Sequence, residues 1–203
     1  MIPASAVQEK ALIDALRSGK NAAKRSLYEQ FHRYLAAVCA RYVPDDETVK
    51  DLLQEVFIKI YTRFDSFEYR GPGSLQAWCR RIAVNESLLY LRRTRREAET
   101  PLEAVGDLPQ PDEEPQIADI PQAEVLAMVR RLPDRYRTVF NLYVFEEMSH
   151  KEIAGQLQIG ESSSASNLHR AKALLTRWIN EYRRTHERYM DQALSGEIGR
   201  LRA

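Results

Sequence analysis

Residues 148–175 read MSHKEIAGQLQIGESSSASNLHRAKALL, and the reading of this stretch decides the fold. Ser149 and Glu152 stand at the Ser-x-x-Glu spacing of a capping box, in which a hydroxyl and a carboxylate each satisfy the other residue's backbone amide at a helix start. Ile153, Ala154 and Leu157 then form the inward face of a short helix, and QIG supplies a tight turn at Gly160. The serine run that follows resembles a linker in composition, but its continuation is periodic. Leu168, Ala171, Leu175, Trp178, Ile179 and Tyr182 mark one inward direction. At about 100° per residue, Ser163, Ser166, Arg170 and Arg177 fall on the far side, with Ser162, Asn167 and His169 flanking them. A capped short helix, a glycine-containing turn and a longer helix make a helix-turn-helix, whose second helix enters a DNA major groove by its N-terminal residues. Serine in a helix interior costs roughly a few tenths of a kcal/mol relative to alanine, a small penalty where the backbone must approach phosphates.

Working outward, the chain has 203 residues, 44% hydrophobic and 29% charged. No apolar run approaches the roughly 18 residues of a membrane span, so membrane insertion is not expected. MIPASAVQEKALIDALRSGK carries charges where a signal peptide needs its apolar core, which predicts a cytoplasmic protein. Cys39 and Cys79 lie in apolar patterns outside any Cys/His array and read as buried free thiols. The net charge of +1 conceals a segregation: +6 over residues 1–96, −8 over 97–120 and +3 over 121–203. Two basic blocks flanking a stretch with no Lys or Arg indicate two domains on a tether, and basic domains point to a polyanionic partner. The resulting division is a helical domain at 1–96, a flexible acidic linker at 97–121, a helix-turn-helix domain at 122–185 and a tail at 186–203. The fold class expected is all-α: two small helical domains joined by an acidic, proline-rich linker.

In the first block, Val49, Leu52, Leu53, Val56, Phe57, Ile60, Tyr61 and Phe64 form one helical stripe, with Leu27, Phe31, Tyr34, Leu35 and Val38 as its antiparallel partner. Opposite the first stripe lie Asp51, Gln54, Glu55 and Ile58, a face suited either to solvent or to a basic protein partner. RFDSFEYRGPGS, residues 63–74, interleaves Phe64, Phe67 and Tyr69 with Arg63 and Arg70 before a Gly-Pro-Gly turn. Rings at a loop stack on unpaired bases for about 1 to 3 kcal/mol each while guanidinium groups hold phosphates. Phe64 and Phe67 can instead complete the core, which is expected of at least Phe64, leaving Tyr69 and the turn as the exposed candidates. Ser74 is positioned as the N-cap of a third helix, whose inward face is Leu75, Trp78, Ile82 and Leu89 and whose outer surface carries Arg80, Arg81, Arg92, Arg93, Arg95 and Arg96. Those arginines exceed what a helix C-terminus requires and favour phosphate contact.

No cofactor, metal or catalytic residue is implied. His32, His150, His169 and His186 are scattered, and the first block shows no carboxylate cluster with metal spacing, which argues against a nuclease or recombinase. A response-regulator type of helix-turn-helix protein would need an α/β receiver with strand-like apolar runs, and none is present; a helix-turn-helix transcriptional regulator that is not a polymerase subunit remains the alternative within DNA binding.

Taken together, DLLQEVFIKIY (51–61), GSLQAWCRRIAVNESLLYLRR (73–93), LPDRYRTVFNLYVFEEMSHKEIAGQL (132–157) and LHRAKALL (168–175), in this order around an acidic linker, resemble the extracytoplasmic-function sigma factors of bacterial RNA polymerase. The resemblance implies a transcription initiation factor that binds core RNA polymerase and promoter DNA, is held by an anti-sigma factor, and performs no chemistry itself. By position it implies that Asp51, Gln54, Glu55 and Ile58 bind core polymerase. It implies that Asp65, Ser66, Phe67, Tyr69 and Arg70, with Trp78, Arg80, Arg81 and Asn85, meet minus-10 DNA and capture a flipped base of the melted strand. Ser162, Ser163, Ser166, Asn167, His169 and Arg170 correspond to the helix that reads the minus-35 element, and the linker to a segment threading toward the RNA exit channel. The chain departs from the family at Ala165, where a lysine is usual, and its tail from Glu187 has no counterpart.

Overall fold

A computed structural model describes the backbone of residues 6–97 and 117–201, and the side chains of 6–94 and 117–186. Among the described residues the secondary structure is entirely helical: α1 (Ala6–Arg17), α2 (Asn21–Tyr42), α3 (Asp46–Thr62), a 3-10 turn (Phe64–Ser66), α4 (Ser74–Glu97), α5 (Gln122–Arg131), α6 (Asp134–Val144), α7 (His150–Leu157) and α8 (Glu161–Leu201). The chain forms two compact units, residues 1–101 and 102–203. None of the described helices is long and apolar enough to cross a membrane.

In the first unit, α2, α3 and α4 pack against one another and α1 packs on α2. α3 starts where Asp45 accepts a hydrogen bond from the Thr48 amide at 2.8 Å, which satisfies an amide that the helix itself cannot. The Thr48 hydroxyl, which donates to the same carboxylate at 2.6 Å, and then the amide hold the Asp45 carboxyl below its ordinary value. Val49, Leu52, Val56, Phe57 and Ile60 are buried along α3, against Leu27, Phe31, Leu35 and Val38 of α2 and Leu75, Cys79 and Ile82 of α4. Each such aliphatic side chain contributes about 1.5 to 3 kcal/mol when fully removed from water. Cys39 and Cys79 are both free and buried, and burial pushes their thiols up to about 11 and about 12. Both therefore stay protonated and behave as small apolar groups.

In the second unit α8 is the central element, packed by α5, α6 and α7. Its stripe Leu168, Ala171, Leu175 and Ile179 is buried, and Trp178 packs against a cluster of Val129, Leu132, Tyr136, Ala171, Leu174 and Leu175. The turn between α5 and α6 is held by Arg137. This guanidinium is 2% exposed; it donates to the Leu132 carbonyl at 2.7 Å and the Arg130 carbonyl at 3.1 Å, and pairs with Asp134 at 2.6 Å. It satisfies the orphan acceptors at the end of α5 and carries positive charge to the negative pole of that helix.

Two boundaries differ from the sequence expectation. Residues 98–116 of the expected linker lie outside the described residues, but residues 117–121 belong to the second unit: Ile120 is 7% exposed and Asp119 pairs with Arg183 at 2.8 Å. An apolar residue with no periodic neighbours carries no signal of its own burial, which is why composition placed it in the tether. The helix of the second motif also runs to Leu201 without a break at 185/186. Replacing Arg137 with alanine leaves two helix-end carbonyls without their charged donor, and should lower the stability of the second unit by about 3 kcal/mol in urea unfolding of the full chain. A loss below about 0.5 kcal/mol, the level of an ordinary surface substitution, would show that the clamp is not what joins α5 to α6.

Candidate nucleic-acid interface

The helix-turn-helix is α7, a turn at 158–160 and the start of α8. The capping box is complete: the Ser149 hydroxyl accepts from the Glu152 amide, and the Ser149 amide donates to the Glu152 carboxylate at 2.8 Å. The expected tight turn forms without a left-handed backbone at Gly160. The residue in the left-handed region is Gln158, at φ 56°, whereas Gly160 has no positive φ and serves as the residue before the first turn of α8, its carbonyl accepting from the Ser164 amide at 3.0 Å. Glycine is the usual occupant of such a helix end but is not required for it.

Along the first turns of α8, Ser162, Ser163, Ala165, Ser166 and Arg170 are exposed, while Asn167 and His169 are half-buried. Ser164 is fully buried, and its hydroxyl lies 3.0 Å from Nδ1 of His150, the first residue of α7. The serine run is thus divided in purpose. One hydroxyl joins the two helices of the motif, and its neighbours stay free to face a groove. The Tyr143 ring stacks on His150 at 5.0 Å, tying α6 to the same junction.

In the first unit, Asp51, Gln54, Glu55 and Ile58 lie on the solvent side of α3, with Ile58 60% exposed. Across the helix, Lys59 approaches the buried Glu86 of α4 at 3.7 Å.

The loop after α3 holds the remaining expected residues. Asp65, Ser66 and Arg70 are exposed and Tyr69 is half-buried. Phe67 is a correction: at 3% exposed, its ring packs on Phe64 at 5.7 Å and on Trp78 at 5.3 Å, so it completes the core and has no free face for a base. The local pattern of alternating aromatics could not separate Phe67 from Tyr69, because burial there is set by α4, which brings Trp78 over the turn. On α4, Trp78, Arg81 and Asn85 share a face at steps of three and four; Arg81 and Asn85 are exposed and Trp78 is half-buried. Arg80 is also only half-buried, and Arg92 and Arg93 are exposed farther along, while the side chains of Arg95 and Arg96 lie outside those described.

Ser74 is not the N-cap of α4. The position before the helix is Gly73, at φ +83°, and the Ser74 hydroxyl instead accepts from the Arg70 amide at 3.3 Å. The cap arrives from α1: the Glu9 carboxylate, 7% exposed, accepts from the Gly73 amide at 2.7 Å and the Leu75 amide at 2.9 Å. Arg17 donates to the Phe67 carbonyl at 3.2 Å, and Lys10 Nζ lies 5.3 Å from the centre of the Tyr69 ring. Sequence reasoning missed these three residues because their partners are fifty or more positions away, where no periodicity operates.

Two sequence families match the chain. One described as Sigma-70 region 2 covers residues 27–97, and one described as Sigma-70, region 4 covers residues 122–175. The RNA polymerase sigma-H factor of Pseudomonas aeruginosa is 27% identical over 177 residues, which is 81% of this chain and 90% of that protein. The ECF RNA polymerase sigma factor SigM of Bacillus subtilis is 27% identical over 160 residues, 76% of this chain and 96% of that one. The ECF RNA polymerase sigma-E factor of Escherichia coli K12 is 27% identical over 176 residues, 81% and 90% of the two chains. A solved structure of the sigma factor RpoE in complex with the anti-sigma factor NepR from Bartonella quintana aligns with a TM-score of 0.48 at 19% identity, over 77% of this chain and 96% of that one.

The capping box also sets a pH dependence. Hydrogen bonds from Ser149 hold the Glu152 carboxyl below its ordinary value of 4.5, so its contribution to stability is fully present above that value and is lost as the pH falls through the lower, folded-state value. The melting temperature of wild type should therefore exceed that of Glu152→Gln at neutral pH, with the gap closing only under acid conditions. A gap that stays constant into that range would contradict the assignment of the ionised carboxylate as the cap.

Proposed function

The chain belongs to the extracytoplasmic-function sigma factors of RNA polymerase, and from that premise we propose a division of labour among its exposed faces. As an RNA polymerase sigma factor it has core polymerase and promoter DNA as partners, and it is a regulatory subunit. We assign it no catalytic residue: the polymerase performs the chemistry, and the protein acts in the cytoplasm beside it.

The acidic face of α3, Asp51, Gln54 and Glu55 with Ile58, docks on core polymerase. The observation that carries this assignment is that Ile58 is exposed on the same face of α3 as exposed Asp51, Gln54 and Glu55, opposite the buried Val49, Leu52, Val56 and Ile60. Exposed Arg81 and Asn85 on α4, with Trp78 and Arg80 at its half-buried margin, meet minus-10 DNA, and Asp65, Ser66, Tyr69 and Arg70 in the preceding loop take an unpaired base and its backbone. Phe67 supports that loop from beneath. The start of α8 enters the major groove at minus-35, with Ser162, Ser163, Ser166 and Arg170 outermost and Asn167 and His169 at the margins. Support for this placement is the capped α7, which packs on α8 with Ile153 buried. Without a lysine at Ala165, phosphate attraction there depends on Arg170 and the helix N-terminus. The acidic run between α4 and Ile117 acts as a tether and follows the RNA exit path. Family membership alone supports an anti-sigma protein as the partner that holds the factor inactive.

The assignment separates two activities. Asp51→Ala and Gln54→Ala should weaken binding to core polymerase at least several-fold while leaving duplex DNA affinity unchanged. Arg170→Ala should do the reverse, lowering the slope of log affinity against log salt by about 1. Parallel loss of both activities in either variant defeats the division.

A further inference from the structure

α1 lies outside the residues matched to sigma region 2, yet three of its side chains converge on the loop that follows α3. Lys10 and Arg17 are seven positions apart and so share one side of the helix, with Glu9 flanking them. Glu9 caps α4, Arg17 holds the Phe67 carbonyl and Lys10 lies over the Tyr69 ring.

The need for this brace arises from the turn itself. Gly71 and Gly73 both sit in the positive φ region, at +123° and +83°, where glycine is required and where no Cβ would meet a neighbour that restrains it. A glycine before the helix brings no side chain to cap the amides of α4, and the Ser74 hydroxyl is already engaged by Arg70. Left to its own residues, the turn between Tyr69 and α4 would combine the two most permissive backbone positions of the loop with an uncapped helix start. A buried carboxylate accepting two amides at the positive end of α4 supplies charge-assisted bonds of the strong kind. Because α1 is packed on α2, it fixes the turn to the frame of the domain.

We propose that α1 is a working part of the strand-capture element: Glu9 is a positioning residue that holds the 70–75 turn in its binding geometry, and Lys10 covers one face of Tyr69, leaving the other for an unpaired base and adding a cation beside its phosphate. The proposal rests on the assignment of the 65–70 loop to single-strand capture. Preorganisation of this kind appears in affinity, because an unbraced loop must be ordered when the strand binds.

The test uses the full chain bound to core polymerase, with a fluorescein-labelled pool of single-stranded DNA oligonucleotides selected from random sequence by the wild-type complex. Glu9→Ala should weaken binding of that pool about tenfold, Glu9→Gln, which keeps one acceptor, by less, and Lys10→Ala by a few-fold, with core affinity unchanged in all three. In a Tyr69→Ala background the Glu9 substitution should have little further effect, a coupling that general destabilisation would not produce. Wild-type strand affinity in Glu9→Ala and Glu9→Gln overturns the brace, as does loss of core binding in step with strand binding. If Tyr69→Ala itself leaves strand affinity unchanged, the underlying loop assignment fails, and the brace fails with it.

Discussion

A helix that buries a continuous stripe of side chains has no freedom left in the direction of its opposite face, and both α3 and α8 are constrained in this way. On α3, the burial of Val49, Leu52, Val56 and Ile60 fixes Asp51, Glu55 and Ile58 toward solvent; on α8, Leu168, Ala171 and Leu175 do the same for Ser163, Ser166 and Arg170. Each buried aliphatic residue contributes about 1.5 to 3 kcal/mol, so rotating either helix to present another face would expose several of them at once. The faces of α3 and α8 assigned to polymerase and DNA are therefore held by packing on the far side.

The ends of the helices are fixed by a second device, charged side chains borrowed from other elements. Arg137 of α6 closes the C-terminus of α5, and Glu9 of α1 closes the N-terminus of α4. In each case the sign of the charge matches the pole of the helix it meets, and the group is nearly excluded from water. Buried ionic groups are costly unless fully bonded, so these contacts specify geometry as much as they stabilise it. The junction of α7 and α8 uses a neutral version, the buried Ser164 hydroxyl against His150.

How much of this was legible in the sequence follows from the range over which each signal acts. The helices, the buried stripes and the Ser149–Glu152 capping box are local, at spacings of three and four, and the pattern of residue types displays them directly. The left-handed end of α7 at Gln158 rather than Gly160, the burial of Phe67 beneath Trp78 and the inclusion of Ile120 in the second unit depend on partners supplied by the fold. The cap of α4 is the clearest case. Ser74 satisfies every local rule for an N-cap, but a glycine at φ +83° stands in the capping position and the acceptor lies 64 residues back. The direction in which the candidate residues point was thus largely readable, whereas the means of holding the loop was not.

Transcription itself tests the central claim most directly. Purified protein added to bacterial core polymerase on a pool of genomic DNA fragments, followed by sequencing of transcript 5′ ends, should yield discrete starts that require the protein and share two upstream elements, near minus-10 and minus-35. A folded protein that neither associates with core nor produces any start dependent on its presence would contradict the account.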